Sequence, residues 1–88
     1  EYHSNTESGD GYPDILFKDA DCRKVAIIEI KSATIGSDFV TISENALSQI
    51  EEKNYAEPMM TNRTVSSIYA YGICFAGKTC AVAVKKLK

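Results

Sequence analysis

The strand predicted over residues 25–31 constrains the fold most, because it ends in two charges. Its first four residues, Val-Ala-Ile-Ile, are apolar on both faces, which is typical of a strand covered on both sides. Glu29 and Lys31 then follow within the same strand. Residues i and i+2 of a strand share a face, so the two charged side chains project together. Such a pair at the end of an otherwise buried strand indicates a functional site.

An aspartate stands at the distance needed to face this pair. Asp14 begins the preceding apolar stretch, fifteen residues before Glu29. If the two stretches form a hairpin, Asp14 lies opposite Glu29, with Cβ atoms roughly 4.5–5.5 Å apart. Two carboxylates this close repel unless a cation lies between them. The spacing therefore predicts a divalent-metal site beside the Lys31 ammonium, a combination suited to phosphate-ester cleavage.

Each of these residues also has a structural explanation. Asp14 could be a turn residue after Pro13, and Glu29 with Lys31 could be surface charges at a strand end. A second Glu-x-Lys triplet, at residues 51–53, falls in a predicted helix, where residues i and i+2 diverge. We expect that second triplet to be a solvated charge run.

Hydrophobic periodicity predicts the element order β-β-β-α-β-β. The independent expectation is a small mixed sheet packed against at least one helix. The predicted elements are an extended piece before Gly11, strands at 13–18 and 25–31 joined by a turn at 19–24, a helix at 42–57, and strands at 66–75 and 79–86 joined at Gly77-Lys78.

Sequence signals also predict how the helix begins, ends and packs. Thr41 and Glu44 fit a capping box at its start, and Pro58 is expected to end it. The predicted buried stripe consists of Ile42, Ala46, Leu47 and Ile50.

Length and composition indicate one ordinary globular domain spanning residues 1–88. The apolar content is 44% and the charged content 25%, and no apolar run approaches the ~20 residues that cross a bilayer. The chain opens on Glu1 without an initiator Met, so we expect a C-terminal fragment of a longer polypeptide. A net charge of −2 argues against strong duplex binding by this fragment alone, and the basic cluster at 85–88 is more typical of a solvated terminus.

The three cysteines have no metal-ligand spacing. A two-residue turn between the last strands would put Cys74 and Cys80 on opposite faces, whereas a turn one residue longer would allow a disulfide. With Cys22, we expect reduced thiols of a cytoplasmic protein. His3 is the sole histidine and lies near the terminus, which argues against a Cys–His nucleophile.

Pro13-Asp14, followed by Glu29-x-Lys31 on the next strand, resembles the signature of the PD-(D/E)XK nuclease superfamily. More narrowly, the chain is similar to the nuclease-like domain at the C-terminal end of AAA-ATPase-like bacterial and archaeal proteins. The similar stretches are residues 4–11, 13–15, 27–31, 46–50 with Lys53 and Tyr55, and 71–78. The resemblance implies a small α/β restriction-endonuclease-like fold whose N-terminal helix is missing here. One sheet face should then be undercovered, and the fragment is expected to form a homodimer or to present a sticky surface.

The resemblance also implies roles for the site residues. Asp14 and Glu29 would bind Mg²⁺ (or Mn²⁺), with the backbone carbonyl of Ile30 as a third ligand. Lys31 would orient the attacking water or neutralise the transition state. Gln49 would border the active site from the helix.

Four further residues have both a functional and a structural explanation. Lys53, one turn after Gln49, fits either the edge of the site or an exposed helix edge. Glu7 could replace the acidic residue of the missing helix, although a loop Glu is usually solvated. Tyr55, Tyr69 and Tyr71 could stack on bases, but core or strand aromatics are more ordinary.

Two functions remain open at this point. The first is metal-dependent phosphodiester hydrolysis of nucleic acid, with DNA as the expected substrate, in a domain attached to an ATPase domain of the same polypeptide. The second is a catalytically inactive module of the same fold that regulates or docks the ATPase.

Overall fold

The computed structural model describes the backbone of residues 2–4 and all of residues 14–88. Within these ranges five strands form one mixed sheet in sequence order. Neighbouring strands are antiparallel except the third and fourth, which are parallel and come before and after the helices in the chain. The predicted α/β class and the order β-β-β-α-β-β are confirmed. The elements are β1 (Tyr2–Ser4), β2 (Ile15–Lys18), β3 (Lys24–Ser32), α1 (Phe39–Glu52), a short α2 (Glu57–Met60), β4 (Ser67–Ala76) and β5 (Thr79–Lys86).

The turn between β2 and β3 is built around one aspartate. Asp19 Oδ1 accepts hydrogen bonds from the backbone N–H groups of Arg23 (2.8 Å) and Lys24 (3.2 Å). The hydrogen bond from Lys24, followed by that from Arg23, holds the pKa of Asp19 below its usual range. Cys22 adopts a left-handed φ of 56°, which few residues other than glycine adopt. These contacts define where the hairpin turns and therefore its register.

The hydrophobic core lies on one face of the sheet, beneath both helices. Alternate residues of β3 and β4 point into it, as the two-residue period of a strand requires. Side chains from α1, α2 and the connections on either side of α2 complete it. The core cluster contains Leu16, Val25, Ile27, Ile50, Tyr55, Ala56, Met59, Val65, Ile68 and Ala70.

Helix α1 begins three residues earlier than predicted. Asp38 is its N-cap and accepts a hydrogen bond from the backbone N–H of Thr41 at 3.2 Å. The Thr41 hydroxyl also donates to Asp38 Oδ2 at 2.7 Å. The predicted capping box of Thr41 and Glu44 is therefore wrong. Aspartate caps a helix at least as well as threonine. Because Asp38 and not Thr41 is the N-cap, α1 is almost one turn longer than predicted.

The same helix ends at a Schellman motif rather than at the proline. Asn54 has a left-handed φ of 54°. Its N–H donates to the carbonyl of Glu51 at 3.1 Å, and the N–H of Tyr55 donates to the carbonyl of Ile50 at 3.2 Å. Pro58 instead lies in the first turn of α2, where a residue without an N–H is tolerated. The prediction that Pro58 ends the main helix is thus wrong.

A serine and a glycine bring α1 close to the sheet. Ile42 was predicted in the buried stripe, but it is half-buried. A Cβ atom added at Gly72 would overlap the carbonyl oxygen of Ser43 and contact the backbone nitrogen of Leu47. The helix backbone therefore rests directly on β4 at this glycine. The fully buried residues of α1 are Ser43, Ala46 and Ile50.

The opposite face of the sheet is apolar, and within the described ranges no helix covers it. Alternation places its side chains away from the core cluster, and neither α1 nor α2 covers it. Several of its large side chains are between 38% and 53% exposed. The expectation of an undercovered sheet face agrees with this exposure. We call this surface the open face; its exposed members are Phe17, Tyr69, Phe75, Val82 and Val84.

The last hairpin has the two-residue turn, Gly77-Lys78, and not the longer one. Cys74 lies opposite Ala81 and Cys80 opposite Phe75, so the two thiols are on different faces. All three cysteines are free. In the described part of the chain, no helix combines the length and apolar character that a membrane crossing requires.

Candidate active site

The β2–β3 register brings the two predicted acids together. Ile15 lies opposite Ile28, and one further step of the same register places Asp14 across from Glu29. After the larger effect of burial, the Asp14 carboxyl raises the pKa of Glu29, so the two carboxyl groups lie close enough to interact. Asp14 Oδ2 also accepts a hydrogen bond from the backbone N–H of Ile30 at 2.7 Å. The hairpin geometry predicted from the sequence is therefore present.

Glu29 is the unusual residue of the site, because it is a carboxyl on the core face. Its side chain is only 4% exposed, and within the described residues its Oε2 is buried without a hydrogen-bond partner. Burial, then the hydrogen bond and negative charge of Asp14, raise the pKa of Glu29 to about 7, against a smaller lowering by Lys31. Without a cation, this acid pair therefore retains a proton near neutral pH.

Lys31 stands beside the acid pair on the same strand face. It lies two residues after Glu29 on β3 and is half-buried. Its positive charge lowers the pKa of Glu29, so the two side chains are within electrostatic reach of each other. In the parallel register its β4 neighbour is the fully buried Cys74. The structure thus places a cation next to two carboxyl groups at one edge of the core.

Gln49 lies in the last turn of α1, and Tyr55 lies just beyond the end of that helix. Gln49 is half-buried. Tyr55 is 4% exposed, and burial raises its pKa. The charges of Glu29 and Asp14 raise that pKa further, so the hydroxyl lies within electrostatic reach of both acids. In the sequence analysis, Tyr55 is one of the residues that carry the family resemblance, and it has either a stacking role or a core role.

Other residues considered from the sequence lie elsewhere. Tyr69 and Tyr71 point to the open face, away from the acid pair, and Lys86 lies 6.0 Å from the ring centroid of Tyr69. Lys53 is exposed as the C-cap of α1. Glu7 lies outside the described residues.

The two carboxyl groups suit a hard cation that retains several coordinated water molecules. Among the described residues there is no cluster of three or more His, Cys, Asp or Glu side chains. Magnesium is commonly held by one or two carboxylates plus waters and substrate phosphates. The Asp14–Glu29 pair fits that requirement, because Glu29 Oε2 is buried without a partner among residues 14–88. The Ile30 carbonyl stays a predicted third ligand.

Comparison with known proteins agrees with this architecture. A family model of the PD-(D/E)XK nuclease superfamily matches residues 1–85, which include Asp14, Glu29 and Lys31. Neither the curated proteins nor the solved structures contain a match to the chain. The mixed sheet with one main helix is consistent with the small restriction-endonuclease-like fold of this superfamily. From its sequence match and its fold together, the chain belongs to the PD-(D/E)XK nuclease superfamily.

Proposed function

We propose that this domain hydrolyses phosphodiester bonds of nucleic acid, with DNA as the expected substrate, and that Asp14, Glu29 and Lys31 carry the reaction. The observation that carries the proposal is the Glu29 carboxyl. It is buried near Asp14, one of its oxygens has no hydrogen-bond partner in the described part of the chain, and a lysine stands beside it. A fold that needed only stability would gain from an apolar residue at this core position.

Asp14 and Glu29 are the residues that hold Mg²⁺ or Mn²⁺, with the Ile30 carbonyl as a third oxygen. A divalent ion bound there supplies an activated water and stabilises negative charge on the phosphate. The Ile30 N–H holds the Asp14 carboxylate in place at 2.7 Å, so the orientation of that ligand is fixed before binding.

Lys31 and Gln49 act on the substrate side of the site. The Lys31 ammonium orients the attacking water and neutralises charge that develops on the phosphate in the transition state. Gln49 borders the same space from α1 as a polar contact. The AAA-ATPase context rests on the resemblance alone; in that context the domain is attached to an ATPase of the same cytoplasmic polypeptide.

A metal titration tests the carboxylate pair. We expect the wild-type protein to bind Mg²⁺ or Mn²⁺ with a millimolar or tighter affinity in isothermal calorimetry. Asp14→Ala should abolish the heat of binding because it removes one of the two carboxylate ligands. Asp21→Ala is the matched control, since Asp21 is an exposed turn residue, and it should bind as the wild type does. Equal binding by Asp14→Ala and wild type would contradict the proposed ligand set.

A cleavage assay tests Lys31. Lys31→Ala in the full-length protein should cut plasmid DNA about 100-fold or more slowly, because a preorganised cation is lost from the transition state. Metal affinity should remain measurable in this variant. Lys24→Ala is the control, because Lys24 is an exposed residue at the start of the same strand. Unchanged cleavage by Lys31→Ala would remove Lys31 from the mechanism.

The second candidate, an inactive module that regulates or docks an ATPase, is favoured by one observation. The chain has a net charge of −2, whereas affinity for a duplex comes mainly from lysine and arginine. The two experiments separate the candidates. Metal binding with cleavage supports the nuclease, whereas a full-length protein that neither binds the ion nor cuts nucleic acid supports the module.

A further inference from the structure

The connection between β3 and α1 contains a tight turn at residues 34–37. The backbone N–H of Ser37 donates to the carbonyl of Thr34 at 3.1 Å, and the hydroxyl oxygens of the same two residues lie 3.1 Å apart. Gly36 has a left-handed φ of 98°, whereas Ile35 before it has a negative φ. This combination is typical of a type II turn, in which glycine is favoured at the third position. The turn therefore presents Ile35 at its tip.

Both ends of this turn are attached to the rest of the fold. Before it, the N–H of Ala33 donates to the carbonyl of Phe75 on β4 at 2.9 Å. After it, Asp38 caps α1 by accepting a hydrogen bond from the N–H of Thr41. A connection held at both ends loses less conformational entropy when it contacts a ligand. The tip of the turn is thus held in place before anything binds.

Ile35 is the most exposed large apolar side chain in the described part of the chain, at 87%. A Cβ atom added at Gly36 would meet no described atom within 4 Å beyond its chain neighbours, so the turn projects away from the fold. Isolated apolar side chains are common on protein surfaces, and exposure alone assigns no function. What distinguishes Ile35 is its position relative to the acid pair.

The turn lies at the same edge of the sheet as the acid pair. Ile35 follows Lys31 by four residues, and a chain spans at most ~3.6 Å per residue, so their Cα atoms are no more than about 14 Å apart. Because β3 and β4 are parallel, the Gly77-Lys78 turn after β4 is at this edge too, and Lys78 is exposed there. A nucleic acid bound at the acid pair therefore passes close to an apolar tip and an exposed cation.

We propose that Ile35 is a wedge residue, which inserts between neighbouring base pairs of a double-stranded substrate close to the phosphate that is cut. This inference rests on the proposed nuclease function and adds a substrate class to it, namely duplex nucleic acid whose stacking is opened. Successive phosphates of one strand are about 3.4 Å apart along the duplex axis, so 14 Å corresponds to about four base-pair steps. The insertion is expected within that distance of the cut.

The chemistry of the side chain favours a duplex over a single strand. Proteins that unstack a duplex insert apolar side chains, isoleucine among them, between base steps. Proteins that hold single strands stack the bases on aromatic rings, and residues 34–37 include no aromatic residue. Glu29 is only 4% exposed, so a phosphate must approach it closely. A backbone kinked at an opened step can make that approach more readily than a straight duplex can.

Fluorescence locates the opened step. 2-Aminopurine brightens when it leaves the base stack, so duplexes that carry it at each position within about four base pairs of the mapped cut report local unstacking. With Mg²⁺, the full-length Lys31→Ala protein, which is expected to cut slowly, should raise the fluorescence at a defined position by about twofold or more. Combining Ile35→Ala with Lys31→Ala should remove that rise. Because Ile35 is exposed, its replacement should leave the melting temperature unchanged.

Cleavage by the full-length protein tests the consequence for the reaction. Ile35→Ala should cut a fully paired duplex about tenfold more slowly than the wild type. With a mismatch at the opened step, the two proteins should differ by less than about twofold, because a mismatched base is easier to unstack. Ile35→Met keeps a long apolar side chain and should cut as the wild type does. Met60→Ala, which removes an exposed apolar side chain from α2, is the control and should cut both duplexes at the wild-type rate.

Four results would count against the wedge. A fluorescence rise that persists without the Ile35 side chain would overturn it. Equal slowing of the paired and mismatched duplexes by Ile35→Ala would also overturn it and would indicate a protein contact at the turn. A wild type that cuts single strands but no duplex would overturn the wedge and leave the nuclease function intact. A wild type that cuts neither would refute the proposed function, and this inference with it.

Discussion

Glu29 shows how a single residue can set the requirements of a whole site. A carboxyl group on the core face of a sheet loses its hydration, and a second carboxyl across the hairpin adds repulsion. The protein can relieve this cost by keeping a proton or by binding a cation. Protonation of Glu29 and cation binding both make the stability of the protein depend on pH, because protonation and folding are linked.

The metal-free protein should become less stable as the pH rises through neutrality. The pKa of Glu29 is raised from its ordinary value of 4.5 to about 7, so the folded chain binds this proton more tightly than the unfolded chain. The stabilisation from this proton is fully present below about pH 4.5 and is lost as the pH rises through about 7. In a chelating buffer, the melting temperature should therefore be lower at pH 8 than at pH 5.5.

Glu29→Gln should reduce this difference between pH 5.5 and pH 8, since the amide does not ionise. Glu44→Gln, at an exposed position of α1, is the control and should leave the difference as it is. Added Mg²⁺ should raise the wild-type melting temperature more at pH 8 than at pH 5.5. A Glu29→Gln protein with the wild-type pH dependence would show that another group is responsible.

At the scale of elements, the distance between α1 and β4 determines how the helix lies relative to the acid pair. Gly72 lies next to Glu29 in the parallel register, and the helix backbone at Ser43 and Leu47 rests on it. The absence of a Cβ atom at this strand position allows the helix to approach closely. One glycine therefore links the core packing of the helix to the geometry of the site.

Gly72→Ala should separate the helix from the sheet. Its methyl group would overlap backbone atoms of Ser43 and Leu47, which cannot move without moving α1. We expect a loss of about 1–3 kcal/mol in the free energy of unfolding, measured by urea denaturation. Cleavage should also slow, since Gln49 would shift relative to Glu29. Wild-type stability in this variant would contradict the close packing of helix and strand.

At the scale of the whole molecule, the two faces of the sheet differ in what covers them. The helices cover the face that carries the acid pair, and the open face presents exposed aromatic and aliphatic side chains. Contiguous exposed apolar surface of this kind commonly marks an interaction site. β5 carries Lys85 and Lys86 near its end, and such charges disfavour extension of the sheet by edge pairing. Association is therefore expected through the open face.

The 88-residue domain should self-associate at high concentration through the open face. Light scattering should report a dimer or larger species, because pairing two open faces removes apolar surface from water. A Val82→Lys, Val84→Lys double variant should shift the distribution towards monomer, while Thr79→Lys, on the other face of the same strand, should not. A strictly monomeric wild type at high concentration would contradict this prediction.

Local patterns in the chain predict the acid pair and Lys31. Strand alternation places Glu29 and Lys31 on one face, and the length of the hairpin places Asp14 opposite Glu29; both rules act over a few neighbouring residues. The helix limits were predicted less well. From the local sequence, Thr41 is as suitable an N-cap for α1 as Asp38 is. The sequence also gives little indication that Asn54 adopts a left-handed conformation and ends the helix.

Patterns within neighbouring strands were enough to predict the element order, the facing carboxyl groups and the adjacent lysine. The close approach of α1 to β4 at Gly72, and the burial of Ser43 in place of Ile42, depend on how the helix packs on the sheet. These two kinds of feature differ in how far apart along the chain the interacting residues are. Alternation and hairpin register follow from bonds and spacing within a strand pair, whereas contacts between a helix and a sheet depend on how close the two backbones can pack.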